Sequence, residues 1–394
     1  MKIGILGGGV AGLSTAIALK QQGFEVEVFE RRKSTTQIGA GIVCWPNASF
    51  VLEQLGLLDE IESVAGIPTQ MIRYSSEGDQ LGSLDINELN QLMAYKSYSI
   101  LRKDLMEVLT SSALKSGVTI RYNHKVRSIK TGANQKANVI FDNGQQIRPD
   151  LIIGADGRMQ SIARQYVNQD NKPVFQNFVN WIGVFESQEA LFPSLSIKDY
   201  WGVGSRFGVV PVSATKAYWA GGLACDSIGE KNPETYSDEL LSLFHQWPEP
   251  ITKIINGTPQ HQINKIYVHD HHPIKAWHKN NVIVIGDAAH SPLPTSGQGA
   301  CQALEDSYQL AKIFREYKLL QNTDKVPQFF EHFTELRMSK TTGITLAGRQ
   351  LANSIFNTDP EFCIQRNLAS KKVDYRATIL GMAKGWSDAL PLNV

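Results

Sequence analysis

Cysteine is scarce in this chain, and Cys44, Cys225, Cys301 and Cys363 lie too far apart to form a C-x-x-C pair. No disulfide framework is expected; free, buried thiols in a reducing compartment are. No run of about eighteen apolar residues occurs, so no membrane-spanning helix is expected. Neither sign of charge is in excess. The 39 Lys+Arg against 38 Asp+Glu leave a formal net charge of +1, which provides no footprint for nucleic acid. Acidic tails, internal repeats and low-complexity blocks are also missing. The chain starts directly in a strand pattern without a signal-peptide core, and a cytoplasmic protein is expected. The cluster His269-Asp270-His271-His272 has metal-ligand composition. Neighbours on a strand point to opposite faces, however, and no partner ligands are evident, so no metal site is expected.

What the sequence does contain is concentrated first in residues 1–30. Lys2 to Leu6 read as a strand, Gly7, Gly9 and Gly12 form G-x-G-x-x-G, Leu13 to Gln22 read as a helix, and Val26 to Phe29 as a second strand ending at Glu30. This is a βαβ dinucleotide fingerprint in its proper context. Gly7 permits the tight turn, Gly9 lets backbone approach a pyrophosphate at the positive end of the helix, and Gly12 lets helix and strand pack closely. Glu30 is placed to accept hydrogen bonds from ribose hydroxyls. The following Arg31-Arg32-Lys33 reads either as a solvated basic turn or as a neighbour of the cofactor's phosphates or adenine.

Next, Gly39-Ala40-Gly41 in an apolar run lets backbone approach something flat or bulky. Pro46-Asn47 starts a helix. Leu101 opens an amphipathic helix to about Ser116, whose first turn holds Arg102. A cation there opposes the helix dipole and points to an anionic partner such as a pyrophosphate, the alternative being a surface arginine with no role. A meander of short strands follows over 118–148. Residues 173–272 alternate apolar and polar and are rich in aromatics, which predicts an antiparallel sheet. Asn180, Trp181, Arg206 and Tyr218 are its candidate pocket groups, ordinary sheet packing being the alternative for each.

Two further strand ends carry acids. Asp150-Leu151-Ile152-Ile153-Gly154-Ala155-Asp156-Gly157 places Asp156 at a ligand crevice or at a helix cap. Asn281 to Ile285 is a buried strand closed by Gly286-Asp287; a Pro/Gly loop and a long helix from about Gln298 to Tyr317 follow. The open amides at that helix start would stabilise negative charge. A simple nicotinamide dehydrogenase needs only the first acid. Three such ends suit a longer cofactor, FAD, with Gly299-Ala300 at the N1–O2 edge of the reduced flavin.

Gly7–Glu30, the Asp150–Gly157 segment with Arg164, and Gly286-Asp287 through Asp306 resemble the three motifs of single-component, para-hydroxybenzoate hydroxylase-like FAD-dependent aromatic hydroxylases. The resemblance covers at least residues 1–340. Gly39–Asn47 looks most like the branch with salicylate and urate hydroxylases, zeaxanthin epoxidases and tetracycline-inactivating enzymes. Residues 178–222 are similar to FAD-dependent urate hydroxylase, and Arg206 and Tyr218 match its substrate-binding arginine and tyrosine. The resemblance implies an α/β fold. A Rossmann-like FAD-binding domain (1–69, 101–172, 273–340) would be interleaved with an antiparallel-sheet substrate domain (70–100, 173–272), and helices over 341–394 would close the chain.

The same resemblance assigns FAD to Gly7, Gly9, Ala11, Gly12, Glu30, Arg31, Gly41 and Arg102, with Val126 by the adenine. It adds Asp156, Asp287, Pro294, Gly297, Gly299 and Ala300, Asp156 serving the visiting nicotinamide as well. No second G-x-G-x-x-G exists for NADH or NADPH, in keeping with a co-substrate that has no domain of its own. The implied reaction hydroxylates an electron-rich aromatic or heterocyclic small molecule with O2 through a flavin C4a-hydroperoxide. Arg206 and Tyr218 would serve the substrate, Tyr218 as a base with its pKa lowered by Arg206. A reductase of the same fold without oxygen insertion is the alternative, and the chain could be a monomer or a homodimer.

Overall fold

The computed structural model describes residues 1–34, 40–132, 136–321 and 325–394; Gly39 of the Gly39–Asn47 stretch lies outside them. Its first layer is a six-stranded sheet in the order His278–Lys279, Val282–Val284, Leu151–Gly154, Lys2–Leu6, Glu25–Phe29, Thr119–Arg121. All pairings are parallel except that of the edge strand His278–Lys279. Lys2–Leu6 sits near the centre because Ile3, Ile5 and Leu6 are apolar on both faces and fully covered. The helices Val10–Lys20 and Gly299–Glu316 pack against one another beside the sheet. The acids expected at strand ends, Glu30, Asp156 and Asp287, all follow C-terminal ends of strands in this sheet, the edge where an open parallel sheet binds its ligands.

The second layer is a seven-stranded sheet. It runs Asn264–Asp270, Val174–Glu186, Lys216–Ala224, Ser205–Pro211, Ile197–Trp201, Gln70–Ser75, Gln80–Asp85. One face carries Trp181, Phe185, Phe207 and Trp219, packed with Leu240 and Phe244 of the helix Tyr236–Phe244 and Ile254 of the helix Ile251–Gly257. Period-2 alternation sends Asn180, Ile182, Arg206, Val210 and Tyr218 to the other face. Trp181 is therefore not a pocket residue: its Nε1 donates to Glu239 on the helix side at 3.0 Å.

Two joints bind the layers. The strand Gly41–Cys44 pairs with Tyr98–Leu101 and lies against Tyr218. A long helix, Val326–Ile355, then runs under the loop at 293–296 and reaches the second sheet, where Phe356 stacks on Phe178 at 4.1 Å between ring centroids. The tail expected to be helical is so, in Pro360–Ser370 and Tyr375–Ser387. Tyr375 packs over Gly82 on the face of the edge strand.

Candidate active site

The glycine fingerprint is built as tightly as its spacing requires. Gly7 has φ of +109°, and a Cβ on Gly12 would stand 1.9 Å from the Gly7 carbonyl oxygen. Gly9 differs: a Cβ there would meet nothing within 4 Å. Its backbone borders open space, and the helix Val10–Lys20 beginning there has no side-chain cap. Glu30 closes the loop from the other side, Oε2 accepting from the Gly8 amide at 2.8 Å and Oε1 from the Arg32 amide at 2.9 Å. Ala11 lies in the first helical turn against Gly286. Val126 begins a strand two residues after His124, whose amide donates to the Glu30 carbonyl at 2.9 Å. Arg31 is exposed.

Arg102 stands in the first turn of the helix Arg102–Lys115, and no side chain among the described residues pairs with it by hydrogen bond or ion pair. Burial pulls its guanidinium below the usual arginine range, and the nearby Asp287 offsets only part of this, with Arg158 and Arg32 opposing. A desolvated cation without a counter-ion fits an anionic ligand. Arg158 Nη1 meets Asp287 Oδ2 at 3.2 Å, joining the second and third strand ends.

Asp156, at the end of the strand Leu151–Gly154, is engaged by protein groups. Its Oδ1 accepts from Ser161 Oγ and its Oδ2 from the Ala163 amide at 3.1 Å. The carboxylate thus supports the first turn of the helix Ile162–Asn168, whose N-cap is Ser161. Burial raises its pKa despite those donors.

The long helix Gly299–Glu316, by contrast, has no side-chain cap. Its bare amides at Gly299 and Ala300 face the end of the strand Gly41–Cys44, for Cys301 Sγ lies 3.5 Å from the Val43 carbonyl. Gly297 has φ of +63°, and a Cβ on it would press on Trp45 Nε1 at 3.0 Å. Pro294 is exposed on the short turn Pro294–Ser296 just before it. Cys44, beside this slot, has its thiol pushed up to about 12 by burial and is no nucleophile.

The antiparallel sheet meets the slot at Tyr218, whose ring packs flat against Gly41; a Cβ on Gly41 would sit 2.0 Å from it. The expected lowering of the Tyr218 pKa does not occur. Burial raises it far above the usual phenol range, Cys44 and Cys301 add to this, and Arg206 counters only weakly. Raised in this way, the phenol is not the lowered-pKa base that the sequence suggested. The alkaline limb of the pH–rate profile will therefore be the same in Tyr218→Phe as in the parent, measured as kcat/KM from pH 6 to 10; a limb that disappears in the variant contradicts this.

Sequence reasoning missed the cluster beneath the flavin-side loop. Asp306 Oδ2 takes the Gly286 amide at 2.8 Å and His290 Nε2 at 2.7 Å, while its Oδ1 takes Arg337 Nε at 2.7 Å. Arg337 also donates to Glu305 Oε2 and to Gln302 Oε1, both at 2.7 Å, and Lys340 reaches Glu305 at 2.8 Å. Burial pushes the Asp306 carboxyl up, but His290 and Arg337 outweigh it and hold it at about 2. The signal available was an acid pair, Glu305-Asp306, on the buried face of a helix. Its partner lay about thirty residues on, in a stretch without a motif. The His269–His272 cluster is taken up by protein groups: Asp270 holds Arg349 at 2.6 and 2.9 Å, and His271 Nε2 meets the Arg158 carbonyl.

This geometry agrees with comparison to known proteins. A family described as FAD binding domain matches residues 1–318. The chain belongs to that family of FAD-dependent monooxygenases. It is 28% identical to an aurachin C monooxygenase/isomerase of Stigmatella aurantiaca, over 94% of this chain and 95% of the other. It is 29% identical to a FAD-dependent urate hydroxylase of Klebsiella pneumoniae, covering 80% of this chain and 82% of that one. The crystal structure of Klebsiella pneumoniae HpxO, complexed with FAD and uric acid, superposes with a TM-score of 0.89. It is 26% identical and covers 98% of this chain and 97% of its own.

The residues present fit the family's cofactor: open space at Gly9, an unpartnered Arg102 and two uncapped helix starts. Arg102→Gln will raise the FAD dissociation constant about 10- to 100-fold, the worth of a charge-assisted hydrogen bond. Flavin fluorescence titration of the apoprotein measures it, and thermal unfolding of the apoprotein will not fall, because a buried unpaired cation is removed.

Proposed function

We propose that this protein hydroxylates an electron-rich aromatic or heterocyclic small molecule, using O2 and NADH or NADPH as co-substrates. The observation that carries the reading is the meeting of two surfaces. The helix start at Gly299–Ala300 lies against the strand Gly41–Cys44, and that strand lies against Tyr218 on the face of the sheet that also bears Arg206 and Asn180. Bound FAD would supply the exchange of electrons with the nicotinamide and the activation of O2.

The chain's own groups do the rest. The glycine loop, Glu30 and Arg102 hold the adenosine and pyrophosphate, and the Gly299 and Ala300 amides favour negative charge at the helix start. Asp156 sets the backbone beside the cofactor by supporting the first turn of its helix. Arg206 and Asn180 orient the substrate, Tyr218 donates a hydrogen bond, and Ile182 and Val210 keep water from the reacting centre.

The test is oxidation of NADH and NADPH by FAD-loaded protein with H2O2 measured alongside, using urate, salicylate, para-hydroxybenzoate and a tetracycline. One compound is expected to speed oxidation, suppress H2O2 and gain one oxygen atom from 18O2. Reduction without oxygen incorporation into any compound would favour a reductase. No reduction under any condition would sink the reading.

A further inference from the structure

The guanidinium on the substrate-facing side of the sheet is held by a buried acid that sequence reasoning overlooked. Asp199 Oδ1 accepts from Arg206 Nε at 2.6 Å, and its Oδ2 accepts from Trp201 Nε1 at 2.8 Å. The carboxylate is 7% exposed, the Arg206 side chain 24%. Both Asp199 oxygens are therefore engaged, while no hydrogen bond from either Nη of Arg206 to a described residue is present. The register explains the arrangement. Asp199 lies opposite Gly208, and Gly208 opposite Ala220, two residues along from Tyr218. Arg206 Nη2 lies 3.6 Å from where a Gly208 Cβ would stand, so the guanidinium lies over a bare stretch of sheet. Its outer edge offers N–H donors while its inner edge is fixed.

Other cations lie nearby. Arg73 and Arg366 stack on the Trp201 ring at 4.9 and 5.3 Å, and Arg366 spends its donors on the carbonyls of Gly202, Ser354 and Ile355. Neither reaches within ion-pair distance of Asp199.

From this we infer that Asp199 is a positioning and specificity-determining residue: it aims the Arg206 fork at the substrate and turns that fork from carboxylates toward uncharged carbonyl acceptors, such as a ring lactam or amide. The inference rests on the aromatic pocket proposed above. A ligand carboxylate on the free edge of Arg206 would set a second anion against the same guanidinium, across a desolvated space where like charges repel strongly. A neutral carbonyl accepts the same two N–H groups without that cost.

The experiment compares matched ligands on FAD-loaded protein: salicylate with salicylamide, and quinoline-2-carboxylate with its carboxamide. Affinity is read from perturbation of the bound flavin's absorbance. The parent is expected to bind each amide more tightly than its acid. Asp199→Asn keeps the shape and removes the charge, and will raise the acid-to-amide affinity ratio about tenfold. Asp199→Glu keeps the charge but shifts Arg206, and will weaken both ligands with the ratio unchanged. Flavin content and unfolding temperature of each variant show that it is folded. A parent that prefers acids, a ratio that stays within threefold in Asp199→Asn, or a ratio that rises as far in Asp199→Glu as in Asp199→Asn would each overturn the inference. If no ligand binds at millimolar concentration, the aromatic-pocket reading itself fails.

Discussion

Arg337→Met will destabilise the folded protein by about 3–5 kcal/mol, the cost of stranding a buried charge by removing its partner. Arg337 is fully buried and donates to both Asp306 and Glu305. Methionine fills most of the volume and satisfies neither carboxylate. Lys340 would remain on Glu305 and His290 on Asp306, so each carboxylate would keep one of these partners where it now has two. The loss should appear in urea unfolding of the apoprotein. Because Asp306 also holds the Gly286 amide, flavin content should fall as well. Adding Glu305→Gln to the variant removes one stranded charge and will recover part of the loss. Unchanged stability in Arg337→Met would mean that the cluster contributes nothing net.

The second large effect separates two glycines only three residues apart. Gly12→Ala will yield no protein that holds flavin. Its Cβ would stand 1.9 Å from a backbone oxygen, and no rotamer relieves a clash between main-chain atoms. Gly9→Ala will fold, with at most about 1 kcal/mol lost at the helix start, yet its FAD dissociation constant will rise at least about tenfold. The added methyl meets no protein atom, so any loss of affinity reports what occupies that space. Fluorescence titration of FAD into Gly9→Ala apoprotein decides it. Parent-like affinity there would move the pyrophosphate away from Gly9.

The two glycines also mark how far the sequence could be read. Spacing alone identified the turn, the helix start and the terminal acid, because each rests on local backbone geometry. Alternation likewise predicted the antiparallel sheet and its candidate groups Asn180, Trp181, Arg206 and Tyr218. It could not say which face met the helices, and of the two readings left open for Trp181 the structure shows packing. Asp199 escaped notice because its meaning depends on a cross-strand register, not on its neighbours in the chain. Arg337 escaped because its partners lie on another helix. The Tyr218 pKa reversed sign for a similar reason. The sequence offered a nearby cation, whereas burial against Gly41 and two thiols, visible only in three dimensions, outweighs it.

The helix Val326–Ile355 has 30 residues, so it spans about 45 Å at ~1.5 Å per residue. More than a third of the way along, it carries Arg337, which holds Asp306; nearer its C-terminal end, Arg349 grips Asp270 on the antiparallel sheet. All of it lies beyond residue 318, where the family match stops. Exchanging only the antiparallel sheet between relatives would leave Arg349, Phe356 and Arg366 facing a surface they were not shaped for. A working chimera must therefore carry residues 337–366 together with its sheet, so that substrate preference travels as three separated stretches of sequence, two of sheet and one of helix.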